Sequence, residues 1–150
     1  MNRMRPPRAP RRQSGLSLIE VLIAVLIMAV GLLGIAALQA VTLRNSQSAF
    51  DRTQATVLSY AILDAMRANA TAARANSYNV GMTCTIPAAG ATLVSHDHNT
   101  WISSIKATMG DSACGSIACA SNICTITIRW NDSRATGGDA NETLTTTSRI

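Results

Sequence analysis

Glu20 is the residue in the N-terminal part of the sequence whose position most needs a chemical explanation. It is the only charged residue between Leu16 and Leu38, a run of 23 residues that is otherwise almost entirely apolar. A carboxylate in an apolar environment needs a cation or hydrogen-bond donors to offset its desolvation. We therefore expect Glu20 to pair with an amine. The alternative is that its side chain extends to the polar edge of a membrane.

Histidine and cysteine are the other residues here that could bind a metal ion. His96 and His98 flank one aspartate, but alternate positions in a predicted loop without clear third and fourth ligands favour solvated polar residues. Cys114, Cys119 and Cys124 are separated by four residues each, which is not the usual zinc spacing. We predict no metal site and no cofactor.

The four cysteines are expected to form disulfides, because the part of the chain that carries them is predicted to reach an oxidising compartment. Four cysteines allow three pairings. A predicted two-residue turn at 121–122 places Cys119 opposite Cys124, which favours the pairs Cys119–Cys124 and Cys84–Cys114. The second bond closes a loop of about 30 residues, a constraint worth about 3 kcal/mol.

Nothing else in the sequence forms a catalytic pattern. It offers no Ser/His/Asp set, phosphate-binding loop or paired carboxylates, and Asn141 begins an N-x-T motif short enough to occur by chance. We predict that the protein is not an enzyme.

Its net charge of +5 arises in the first fifteen residues, which hold five of the thirteen basic residues and no acidic one. The neutral remainder, with few aromatic residues, disfavours nucleic acid as a partner.

The apolar segment Leu16–Leu38 predicts a membrane-spanning helix. At about 1.5 Å per residue it spans roughly 34 Å, enough for a bilayer core of about 30 Å. Arginines before it and none within it predict a single pass with a cytoplasmic N-terminus. A secretory signal has a shorter apolar region, and residues 38–40 lack the small first residue of its cleavage site. A generic anchor fits the length but leaves Glu20 unexplained.

The segment Gly15–Glu20 reads GLSLIE and follows a basic leader. With the apolar run behind it, it resembles the class III signal of type IV pilins and pseudopilins. The resemblance implies that a prepilin peptidase cuts after Gly15 and methylates the new amine of Leu16. It also implies that Glu20 helps the subunit enter a filament, where the Leu16 amine can neutralise it. Leu16 stands where major pilins usually have phenylalanine.

The expected fold class is α+β and pilin-like, with a long N-terminal membrane-spanning helix and a small antiparallel β-sheet head. We predict a leader over 1–15, the helix over 16–75 and the head over 76–150. Within the head we expect a loop at 76–87, a helix at about 100–109 capped by Asn99 or Thr100, and strands over 116–130 and 142–149. Past the membrane, apolar residues recur at helical spacing and predict a buried stripe. They are Phe50, Val57, Leu58, Ala61, Ile62, Ala65 and Ala68.

Three later segments are similar to the PilV family of minor pilins, often labelled type IV pilus modification proteins. They are Asp64–Asn69, the helix around Trp101, and Cys124–Asp132, which reads CTITIRWND. This resemblance implies a subunit that supports initiation of the pilus, near its tip. The implied partners are prepilin peptidase, other minor pilins, the major pilin and the inner-membrane assembly platform.

Two further functions stay open at this point. The head could act as a tip adhesin or DNA-uptake module, or the chain could be a pseudopilin of type II secretion. All three share an inner-membrane precursor and an exported head.

Overall fold

The computed structural model describes Gly15 and residues 17–150. The leader residues 1–14 and Leu16 lie outside the described residues. The chain divides into two compact units, Met1–Gln39 and Ala40–Ile150, each described by itself below.

Helix α1 runs over Leu18–Ala68 and contributes to both units. It begins where the Ser17 carbonyl accepts hydrogen bonds from the backbone N–H groups of Glu20 (3.0 Å) and Val21 (3.3 Å). No proline interrupts its 51 residues, so its backbone hydrogen bonds continue without a break. A one-residue interruption at Asn69 separates α1 from the short helix α2, Ala70–Arg74. The helix predicted over 16–75 is therefore two helices in the described range.

In the first unit, every described side chain is exposed to solvent in the isolated chain. An 18-residue window within α1 has a mean hydropathy of 3.0, and none of that window is buried. By length and composition, this helix can cross a membrane.

The second unit carries a four-stranded antiparallel sheet with the strand order β1-β2-β3-β4. The strands span Val80–Thr83, Cys114–Ala120, Ile123–Trp130 and Glu142–Arg149. Between β2 and β3, Ser121 and Asn122 both have positive φ, 50° and 65°. This is the backbone of a type I′ turn, whose twist matches that of the strands it joins. The α+β architecture with a small antiparallel sheet is confirmed.

The core of the second unit lies between the inner face of the sheet and two helices, α1 and the later helix α3 (Leu93–Met109). On β3, side chains alternate, so every second residue from Cys124 to Trp130 is buried. The helical residues that complete this core are Ala55, Ile62, Leu63, Met66, Trp101, Ile102 and Ile105.

The stripe predicted on α1 is partly wrong. Phe50 and Val57 are 50% and 54% exposed, whereas Ser48, Asp51 and Ser59 are buried. These polar residues tolerate burial because each forms a hydrogen bond, such as that from Ser59 Oγ to the Ala55 carbonyl at 2.8 Å. The prediction holds for Ile62, which is buried, and for Leu58 and Ala65, which pack against the core, and hydrophobicity alone missed the buried polar residues.

Helix α3 spans Leu93–Met109 and begins well before the predicted position. Its N-cap is Thr92, whose side chain accepts a hydrogen bond from the backbone N–H of Ser95, so the cap predicted at Asn99 or Thr100 is wrong. Strand β1 lies inside the segment predicted to be a loop. It is a short edge strand that contains Gly81, so its sequence lacks the usual alternation.

Candidate processing and assembly site

Gly15 lies just before α1 and is exposed. A side chain built onto Gly15 would meet no atom within 4 Å. Ser17 is also exposed and precedes the first helical turn. The predicted cut site is thus reachable on its Gly15 side, while Leu16, the predicted methylation site, lies outside the described residues.

Glu20 lies in the first turn of α1, where the partial positive charge of a helix N-terminus favours a carboxylate. Its side chain is exposed and forms no hydrogen bond or ion pair with any other described residue. The residues that follow are apolar and equally exposed, for example Leu22 at 69% and Leu26 at 65%. Glu20 is therefore a carboxylate on an apolar helix, without an intramolecular partner in the part of the chain that the structure describes.

The four cysteines form two disulfides, Cys84–Cys114 and Cys119–Cys124, the pairing that the predicted hairpin favours. Cys119 and Cys124 are opposite residues of β2 and β3, and both lie in the core. Cys84 follows β1 and is exposed. Its bond to Cys114 joins the chain after β1 to the first residue of β2.

His96, Asp97 and His98 lie on α3, not in a loop. Asp97 Oδ2 accepts a 2.5 Å hydrogen bond from the Tyr78 hydroxyl, and His98 Nε2 lies 3.1 Å from the Tyr78 carbonyl oxygen. These contacts hold the chain after α2 against α3. No group of three metal-binding side chains occurs among the described residues.

Tyr78 is fully buried at the centre of this network. Burial, followed by the hydrogen bond to Asp97, raises the pKa of Tyr78 from 10.0 to about 12. Asn69 Nδ2 also donates to the Tyr78 hydroxyl, at 3.2 Å, which opposes that rise in pKa. Tyr78 is therefore a neutral structural residue at physiological pH.

A polar contact between α1 and the loop after β3 was not predicted from the sequence. Ser48 Oγ donates to Asp132 Oδ2 at 2.5 Å, and Gln47 Nε2 donates to Asp51 Oδ1 at 2.9 Å. Both carboxylates are buried and line a cavity of about 230 Å³. The only available signal was the helical spacing of Ser48 and Asp51, which places both on the buried side of α1.

Asn141, the first residue of the short N-x-T motif, is exposed in a turn before β4. Its backbone N–H donates to Asp139 Oδ1 at 2.7 Å, so this segment is shaped by a local side-chain contact.

Residues 10–36 match the family model described as the prokaryotic N-terminal methylation motif. The match covers Gly15, Leu16, Glu20 and the first part of α1. No curated protein and no solved structure matches the chain in the corresponding searches. The methylation motif, the exposed apolar helix and the small antiparallel sheet together support a type IV pilin-like or pseudopilin-like protein.

Proposed function

We propose that this chain is a minor pilin of the PilV type that supports initiation of a type IV pilus near its tip. The observation that carries the proposal is Glu20, a carboxylate with no ion-pair partner among the described residues, at the start of an exposed apolar helix that bears the methylation motif. A carboxylate in that setting needs a cation from outside its own described structure.

Processing supplies such a cation in this proposal. Prepilin peptidase cuts the bond between Gly15 and Leu16 and methylates the Leu16 amine, which keeps its positive charge. In the filament, that amine of the same or a neighbouring subunit pairs with Glu20. Pairing offsets the desolvation of both charges as the apolar helices pack together. The precursor is held in the inner membrane with its N-terminus in the cytoplasm, and the head is periplasmic before assembly.

The second unit acts by contact and not by catalysis. Its buried polar groups are largely engaged with one another, as in Ser48–Asp132 and Tyr78–Asp97. Two disulfides suit an exported domain. The partners in this proposal are other minor pilins, the major pilin and the inner-membrane assembly platform, with no nucleic acid.

Processing is tested by the intact mass and N-terminal sequence of the membrane-fraction protein. Removal of 15 of the 150 residues leaves a chain of 135 that begins with N-methyl-leucine. Replacing Gly15 by valine should leave the precursor uncut. Recovery of full-length chain alone, or of a chain that starts after residue 40, contradicts the proposal.

Assembly is tested with Glu20→Leu beside Glu20→Asp, which keeps the charge, and Glu142→Leu, which removes a carboxylate from the sheet. Glu20→Leu should keep its membrane level and lose incorporation into sheared pili. Equal loss of both would assign Glu20 a role in stability.

In a deletion strain we expect few pili with the major pilin still made and processed, and partial recovery of pili when retraction is disabled.

Two other phenotypes would redirect the assignment. Normal pili with lost adhesion or DNA uptake would favour a tip-binding module. Normal pili with defective protein secretion would favour a pseudopilin, which shares the same N-terminal motif.

A further inference from the structure

The two disulfides of the second unit lie in different surroundings. Cys119 and Cys124 are 7% and 0% exposed and belong to the core beneath the sheet. Cys114 is also buried, at 1% exposed, but it lies outside the core cluster, since its side chain is out of phase with those of Ile117 and Cys119, which belong to that cluster. Its partner Cys84 is exposed. Only the Cys84–Cys114 bond therefore presents a sulfur-bearing residue to an external thiol.

Arg129 gives this bond a second distinguishing feature. It is the residue of β3 directly opposite Cys114 in the strand register. Its Nη2 atom lies 3.3 Å from Cys114 Sγ and 3.5 Å from Cys84 Sγ. Arg129 forms no ion pair with a carboxylate in the described part of the chain. Its positive charge is thus directed at the disulfide.

A cation beside a sulfur atom stabilises the thiolate over the thiol. In thiol–disulfide exchange, a leaving sulfur with a lower thiol pKa departs faster. Cys114 is buried and closest to Arg129, whereas Cys84 is accessible. The arrangement therefore separates the sulfur that can be attacked from the sulfur whose departure is assisted.

We propose that Cys84–Cys114 is a thiol–disulfide exchange site for a dithiol protein of the oxidising compartment, with Arg129 as its positioning residue. One thiolate of the dithiol attacks Cys84 Sγ, and the Cys84–Cys114 bond breaks. Cys114 leaves with the electron pair as a thiolate beside Arg129. This inference rests on the export of the head in the proposed function, and not on the role in pilus assembly.

The second half of the exchange releases Cys84. The remaining thiolate of the dithiol attacks its own partner sulfur in the mixed disulfide, and Cys84 departs as a thiolate. The dithiol becomes a disulfide and loses two electrons, which the two cysteines gain. The two cysteine thiolates take up protons from solvent according to their pKa. The segment 84–92, between β1 and α3, then loses its covalent link to β2.

One contact opposes the effect of Arg129. The Ser112 carbonyl oxygen lies 3.2 Å from Cys114 Sγ and can accept a hydrogen bond from the protonated thiol after reduction. Arg129 favours the thiolate form of Cys114, whereas the Ser112 carbonyl favours its thiol form. A variant without the charge of Arg129 therefore tests whether Arg129 has the larger effect.

The experiment uses the full chain in detergent, treated with limiting dithiothreitol, quenched with an alkylating agent and mapped by mass spectrometry. Cys84 and Cys114 should be alkylated before Cys119 and Cys124. Arg129→Gln should slow their reduction by roughly three- to tenfold, and Arg129→Lys should retain part of the rate. Arg149→Gln is the matched control, because Arg149 is opposite Ile123 at the other end of β3.

A second measurement identifies the attacked sulfur without any variant. The wild-type chain is incubated with glutathione, a monothiol that leaves a trapped mixed disulfide. Glutathione should be found on Cys84. Adducts mainly on Cys114, simultaneous reduction of both bonds, or equal slowing by Arg129→Gln and Arg149→Gln would each overturn the proposal.

Discussion

The two parts of helix α1 differ in a way that reverses the usual relation between hydrophobicity and burial. Up to Gln39 the described residues are mostly apolar and every one is exposed. From Ser48 to Met66 the helix has more polar residues, and its buried side includes Ser48, Asp51 and Ser59. No described side chain of the first part is buried within the chain, and its length and composition fit a membrane anchor. The second part packs into the core of the second unit, and this packing determines which of its residues are buried.

The largest expected difference between the two parts concerns leucine. Leu63 is fully buried and Leu33 is 72% exposed. Leu63→Ala should lower the free energy of unfolding of the second unit by about 3 kcal/mol, through lost burial and a residual cavity. Leu33→Ala should leave that free energy unchanged. Denaturant unfolding in detergent, followed by the fluorescence of Trp101 and Trp130, measures both. A comparable loss for Leu33→Ala would show that the first part does stabilise the head.

The next comparison is between Gly115 on β2 and Gly34 in the first part of α1. A side chain on Gly115 would lie 2.6 Å from the Trp101 ring, whereas one on Gly34 would meet no atom within 4 Å. Gly115→Ala should therefore cost about 1–3 kcal/mol by overpacking. Gly34→Ala should be neutral for the head and raise the helix propensity of α1. Thermal unfolding of the two variants tests this difference, and an unaffected Gly115→Ala variant would mean that Trp101 moves freely.

The third comparison is between Tyr78 and Tyr60, and it concerns the stability of the fold at alkaline pH. Because the pKa of Tyr78 rises from 10.0 to about 12 on folding, the unfolded state releases this proton first. The stabilisation is fully present below pH 10 and is lost as the pH rises through 12. Tyr78→Phe should flatten the fall in the unfolding midpoint over this range. Tyr60→Phe, at a half-exposed position on α1, should not, and identical slopes for the two variants would contradict the assignment.

The smallest expected effect is that of the ion pair Arg52–Glu142, which links α1 to β4 at 2.7 Å. Both side chains retain contact with solvent, so a double-mutant cycle with alanine should give a coupling of about 0–1 kcal/mol. That coupling should decrease in high salt. A coupling above 2 kcal/mol would indicate that the pair belongs to a larger network.

Much of the architecture was predictable because the signals were local. The alternation of β3, the turn at 121–122 and the apolar run of α1 each determine one element without reference to the rest. The start of α3 was missed because polar residues before Trp101 resemble a loop, although Asp97 and His98 are held by Tyr78. Such tertiary contacts cannot be predicted from periodicity.

At the candidate site, the sequence motif identified Gly15 and Glu20 as residues of interest, and the structure places Glu20 in the first turn of α1 and Gly15 just before that helix. The buried pair Ser48–Asp132 and the position of Arg129 beside a disulfide could not be predicted. Both depend on residues far apart in the chain that meet only after the sheet has formed.

The strand order β1-β2-β3-β4 also has a consequence for how the head folds. Each strand pairs with the next strand along the chain, so the sheet needs no crossover connection. The turn between β2 and β3 has only two residues, and residues 131–141 join β3 to β4, so most pairings of this part are between segments near in sequence, which favours rapid folding. The β2–β3 hairpin can form from a short stretch of chain. The pairing of β1 with β2, by contrast, joins two segments that are separated by the whole of α3. Folding of an exported head can therefore begin at its central hairpin, and closure of the Cys84–Cys114 bond becomes a late event.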